Sequence, residues 1–200
     1  MLEEQSTTIE SITVEKSTLP LSQALPSIFL VGPMGAGKTT IGKLLAKQLG
    51  RTFVDCDWYI VEQTGADIPW IFEKEGEDGF RQRETRALME LTCQPNIVMA
   101  TGGGVVGSAK NRQLLKQGLV IYLDANVDTQ LMRTKKDKNR PLLQNDNPRA
   151  VLEALYQKRS PWYREVADII LPTGRTYPKQ MVAELLVLLA QYQTTKISTN

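Results

Sequence analysis

The sequence predicts an α/β fold in three layers, with helices on both faces of a parallel sheet. Two observations carry this: short apolar runs alternate with stretches of helical periodicity, and a glycine-rich loop joins the first run to the first such stretch. At 200 residues the chain has room for one domain with a sizeable core. Residues 1–26, rich in Ser, Thr and Glu and closing on Leu25-Pro26, read as a flexible extension before a domain at 27–192; residues 193–200 read as a loose tail. Strands are expected at Ile28-Phe29-Leu30-Val31, Phe53-Val54, Ile97-Val98-Met99-Ala100, Leu119-Val120-Ile121-Tyr122-Leu123 and Asp168-Ile169-Ile170-Leu171. Helices are expected around Ile41, Leu44, Leu45 and Leu49, around Val151, Leu152 and Leu155, and around Met181, Val182, Leu185, Leu188 and Leu189. Ligands of such a sheet collect at the carboxyl ends of its strands, so the residues that follow each strand are the ones to read for function.

Composition narrows the chemistry. A net charge of +2 gives no bulk attraction for nucleic acid, so any bound anion must meet local basic groups. The absence of histidine excludes a His-based zinc site, a Ser-His-Asp triad and a His general base, leaving acid and base work to carboxylates and lysine. No apolar run approaches the roughly 18 residues of a membrane span. Glu3, Glu4 and Glu10, with no apolar segment, are unlike a secretory signal. A cytoplasmic monomer without membrane or nucleic-acid partners is the expectation. Cys56 and Cys93 are then reduced, Cys56 as small packing rather than redox chemistry. Trp58, Trp70 and Trp162 read as packing residues, with Trp58 also beside Asp57.

After the first strand, Gly32-Pro33-Met34-Gly35-Ala36-Gly37-Lys38-Thr39 matches G-x-x-x-x-G-K-[ST] and runs into the first helix. Glycines let successive N–H groups of Gly35, Ala36, Gly37, Lys38, Thr39 and Thr40 point inward at phosphates, and the helix N-terminus adds about half a positive charge. Lys38 would bridge the β- and γ-phosphates of a nucleotide, and the Thr39 hydroxyl would bind Mg²⁺. A kinase, a switch GTPase and an ATP-driven machine all use such a loop, although no Asn-Lys-x-Asp guanine signature is present.

The positions after the other strands discriminate. Asp55-Cys56-Asp57 follows the second strand; in extended backbone its two carboxylates would point the same way, one for Mg²⁺ and one for an attacking hydroxyl. Phe80-Arg81-Gln82-Arg83-Glu84, Thr101-Gly102-Gly103-Gly104 and Asn139-Arg140-Pro141-Leu142-Leu143 come next. Alone, each has two readings: the glycines allow close approach of a ligand or form a loose turn, and Arg81 and Arg140 clamp an anion or solvate a surface.

Together these motifs, with Tyr163-Arg164, resemble the shikimate kinases, P-loop kinases related to the nucleoside monophosphate kinases, over about residues 27–190. The resemblance implies a five-stranded sheet of order 2-3-1-4-5 with a mobile lid at about 133–146. It implies transfer of the γ-phosphoryl group of ATP to the 3-hydroxyl of shikimate, on the pathway to chorismate and aromatic amino acids. It further implies that Asp57 holds the shikimate hydroxyls near the attacking oxygen and that Asp55 holds Mg²⁺ with Thr39. Arg81 and Arg164 would bind the carboxylate, with Glu84 orienting Arg81. Gly102, Gly103 and Gly104 would line the acceptor pocket, with apolar walls from Phe72 and Phe80. Arg140 would reach the transferring phosphoryl group from the lid, and Arg133 and Arg175 would lie near adenine. The nearest alternative is a P-loop kinase for another hydroxy acid such as gluconate.

Overall fold

The computed structural model describes residues 25–135, 147–174 and 177–198. Strands β1 (Ile28–Val31), β2 (Thr52–Asp55), β3 (Ile97–Ala100), β4 (Leu119–Ala125) and β5 (Ile169–Thr173) form one parallel sheet in the order β2-β3-β1-β4-β5. Ile28 of β1 pairs in register with Val98 of β3 and Leu119 of β4. All of β1 is buried, because a central parallel strand covered on both faces has no solvent side.

Alternation along β1 divides the core between two layers. Ile28 and Leu30 face α1 (Lys38–Leu49) and α7 (Pro178–Ser198), meeting Ile41, Leu45, Met181 and Leu185. Phe29 and Val31 face the other layer, made by α2 (Cys56–Thr64), α3 (Ile68–Leu91), α4 (Ala109–Leu115) and α6 (Pro148–Val166), and meet Ile60, Leu88, Leu115 and Tyr163. The short α5 (Val127–Thr134) packs beside the loop after β1, where Gln130 and Thr134 lie against Gly35.

Strands β1 and β3 fall where the sequence predicts, and the other three shift by one or two residues at their ends. The periodic segments become α1, α6 and α7, but α7 continues through residues 193–198, read from the sequence as a loose tail. At the other end, Leu25 is buried, and Arg51 donates to the carbonyls of Leu25 at 2.5 Å and Pro26 at 2.6 Å. The last residues assigned to the extension therefore belong to the fold. Helix α3 has no single apolar stripe to betray it: Gly76 breaks it at φ 70° and ψ −175°, so Ile71 and Leu88 reach the core from two differently oriented segments.

Candidate active site

The loop after β1 is shaped by close approach. Gly32, at φ 142°, presses on the β4 backbone, where any Cβ would overlap the Leu123 carbonyl. The Ala36 N–H donates to the Pro33 carbonyl at 3.3 Å, and Gly37, at φ 95°, starts α1 with no side-chain cap. The first N–H groups of α1 therefore open toward the loop interior, the arrangement that binds phosphates. Lys38 Nζ folds over the loop and donates to the carbonyls of Gly32 at 2.7 Å and Pro33 at 2.9 Å. Gly35, Gly37, Lys38, Thr39 and Thr40 line a cavity of about 320 Å³, with Ala36 buried behind them. Arg133 of α5 lines the same cavity and ties the loop to the chain after β5, donating to Gly35 O at 3.0 Å and Gly174 O at 2.6 Å.

The aspartate pair is not extended. β2 ends at Asp55 and α2 begins at Cys56, so Asp55 is an N-cap and Asp57 sits on the first helical turn. Asp55 Oδ1 accepts from the backbone N–H groups of Asp57 at 3.1 Å and Trp58 at 3.5 Å, satisfying orphan donors of the helix start. Its Oδ2 accepts from the Thr39 hydroxyl at 2.8 Å, which joins the end of the phosphate loop to the end of β2. Both aspartates still line the cavity, placed there by a helix turn rather than by strand alternation. Cys56 is buried as expected; Trp58 and Trp70 are exposed and do not pack in the core.

Each glycine after β3 is fixed by a different neighbour. A Cβ on Gly102 would lie 2.6 Å from Glu84 Oε1 and 3.0 Å from Asp57 Oδ1, so both acidic side chains crowd that residue. Gly103 lines the cavity and approaches the phosphate loop, its Cβ position 3.4 Å from Met34 N. Gly104 lies under the Arg81 guanidinium, which any Cβ there would displace. Arg81 is held in turn by Glu84 at 2.8 Å and Glu77 at 3.1 Å and rests over the Phe80 ring, which packs on Phe72 with centroids 4.9 Å apart. Burial pushes the Glu84 carboxyl above its ordinary range, and Arg81 only partly offsets this. For Arg81 burial works against the cation, but Glu84 and Glu77 outweigh it, so the guanidinium stays charged.

Helix α6 points two arginines in different directions. Arg164, expected at the acceptor carboxylate, is half exposed and pairs with Asp124 at 2.7 Å, where Tyr122 and Tyr156 also donate. Arg159, which the sequence reading passed over, instead donates to the Gly103 carbonyl at 3.2 Å, as does the buried Tyr163 hydroxyl. Five residues along a helix is a turn of about 140° beyond one full revolution, so Arg164 and Arg159 cannot share a face, whereas Arg159 and Tyr163, four apart, do. That i, i+4 pairing with a tyrosine is the signal that would have found Arg159. Arg140, Arg175 and most of the segment 133–146 lie outside the described residues.

Comparison with known proteins gives the arrangement a family. The family model for shikimate kinase matches residues 34–190. A shikimate kinase of Psychrobacter arcticus is 70% identical over 165 residues, covering 82% of this chain and 89% of its own. One from Haemophilus influenzae is 56% identical, covering 82% and 92%. A solved shikimate kinase from Acinetobacter baumannii in complex with shikimate superposes with a TM-score of 0.83 at 52% identity, over 86% of this chain and 98% of that one. A gluconokinase from Sinorhizobium meliloti, at 14% identity and a TM-score of 0.58, shares the fold alone.

Proposed function

The chain belongs to the shikimate kinase family, and from that premise we propose that this site moves the γ-phosphoryl group of ATP to the 3-hydroxyl of shikimate. The products are shikimate 3-phosphate and ADP, on the route to chorismate and aromatic amino acids. One observation carries the reading: the phosphate loop, Asp55, Asp57 and Gly103 open into a single cavity, so a bound triphosphate and an acceptor hydroxyl meet in it.

The loop N–H groups and Lys38 bind the phosphates, and Lys38 leaves its carbonyl partners for the β- and γ-oxygens when nucleotide enters. Thr39 and Asp55 are the residues that would hold Mg²⁺. Hydroxyl and carboxylate oxygens suit a hard cation that keeps several waters and takes its remaining ligands from phosphate. Bound there, the ion would neutralise charge on the phosphates. Asp57 accepts the hydrogen bond of the 3-hydroxyl, aiming an oxygen lone pair at the γ-phosphorus. Arg81 and Arg159, converging on the glycine turn from α3 and α6, bind the shikimate carboxylate, and Glu84 fixes the Arg81 fork. Arg133 keeps the loop closed against the chain after β5, on the adenine side.

Three expectations follow for the acceptor half. Arg159→Ala raises the shikimate KM about thirtyfold, the range of one lost charge-assisted hydrogen bond. Arg164→Ala leaves it within about twofold, since it removes a half-exposed ion pair away from the turn. Equal effects in steady-state kinetics would return the carboxylate to Arg164. Gly104→Ala displaces the Arg81 head group rather than backbone, so the shikimate KM rises about tenfold, and the unfolding temperature falls because the buried Glu84 carboxyl loses its cation.

The reaction itself is tested on its product. Phosphorus–proton correlation NMR after incubation with ATP and shikimate places the new phosphorus on the oxygen at C3; a phosphorus on another oxygen, or free phosphate alone, overturns the assignment.

A further inference from the structure

Residues Gly102 to Val105 form a tight turn closed by the Val105 N–H donating to the Gly102 carbonyl at 3.3 Å. Gly103 and Gly104 occupy its two central positions. Gly104 has φ −96° and ψ −7°, the third-residue conformation of a type I turn. Types I and II differ by a flip of the central peptide, and type II needs positive φ at the third residue, which a glycine adopts without steric cost. With glycine at both central positions, nothing within the turn itself favours one orientation over the other. Two donors from α6 meet the central carbonyl from outside. The Tyr163 hydroxyl and Arg159 Nη1 both donate to Gly103 O, and Tyr163 is fully buried, its ring stacked on Tyr122 with centroids 5.0 Å apart.

We propose that Tyr163 is a positioning residue for the acceptor, locking the 103–104 peptide in its type I orientation by donating to the Gly103 carbonyl. Across a trans peptide the Gly104 N–H points opposite to that carbonyl, hence away from α6. Resting on the reading that shikimate lies against this turn, the lock presents an N–H donor to the anionic acceptor. A flipped peptide would present a carbonyl oxygen, which repels the same carboxylate and hydroxyl lone pairs. Arg159 shares the lock but also serves the carboxylate. Tyr163 has a buried ring and a single polar atom, which meets the Gly103 carbonyl and the Arg159 guanidinium, so it reaches the acceptor through those groups rather than by touching it.

Tyr163→Phe removes that one oxygen and keeps the ring stack. In coupled assays of ADP release by the whole chain, the shikimate KM should rise roughly fivefold, the size of one neutral hydrogen bond, with the ATP KM unchanged. Tyr122→Phe is the control. It removes the hydroxyl of the stacked neighbour, which donates to Asp124 at 2.8 Å and not to the turn, so its shikimate KM should stay that of the wild type. KM does not depend on how much of a variant is folded, so a less stable variant still reports. An unchanged shikimate KM in Tyr163→Phe, or an equal rise in both variants, overturns the lock while leaving the proposed reaction intact. A wild-type chain that releases no ADP with shikimate overturns the reaction first.

Discussion

Lys38→Met lowers kcat about a thousandfold and leaves the unfolding temperature close to that of the wild type. Phosphoryl transfer demands little covalent help from a protein; its barrier falls mainly through positioning and neutralisation of charge on the oxygens around the moving group. Lys38 is the described cation closest to that task. It is the first residue of α1, its ammonium is already held over the loop by the Gly32 and Pro33 carbonyls, and both bonds lie within its own loop. Methionine keeps the length of the stem and removes the ammonium with its charge and its two bonds to loop carbonyls, so fold and cavity persist while transition-state stabilisation is lost. Single-turnover measurement of ADP formation separates this from weaker ATP binding. A kcat within tenfold of wild type would remove Lys38 from the chemistry.

Asp57→Asn should lower kcat about a hundredfold, the lower end of what a positioned acid–base group contributes, and raise the shikimate KM with the ATP KM unchanged. Asparagine still fits beside Gly102 and can still accept a hydrogen bond, but it cannot take a proton and offers the hydroxyl a weaker acceptor. The split between the two substrates is the informative part. Asp55 lies two residues away with its oxygens on Thr39 and the α2 backbone, and so belongs to the donor half. Asp57 faces Gly102 and Glu84, and so belongs to the acceptor half. Full turnover by Asp57→Asn would mean that the acceptor binds elsewhere.

Much of this was legible in the sequence, for identifiable reasons. The phosphate loop is a local device in which strand, glycines and helix start are contiguous, so spacing alone places Lys38 and Thr39. β1 and β3 are central and buried on both faces, which leaves unbroken apolar runs with sharp ends. The Asp55-x-Asp57 geometry was misread because strand alternation and a helix N-cap both bring two carboxylates to one place, and only the backbone distinguishes them. The roles of Gly102 and Gly104 depend on Glu84 and Arg81, which arrive from α3 and whose reach no local pattern encodes. The Tyr163-Arg164 motif draws attention to Arg164 and leaves Arg159 unmarked. Helical phase, the physical criterion, turns Arg164 to Asp124 and Arg159 to the glycine turn.

The same phosphate loop serves kinases for other hydroxy acids, and a gluconokinase shares this fold, so the acceptor is the point on which the account stands. The direct measurement is ADP release from ATP and Mg²⁺ by the purified chain with shikimate, with gluconate and with no acceptor. Asp57 facing the glycine turn, flanked by Arg81 and Arg159, predicts release that depends on shikimate and stays at the no-acceptor level with gluconate. Release driven by gluconate and not by shikimate would contradict it.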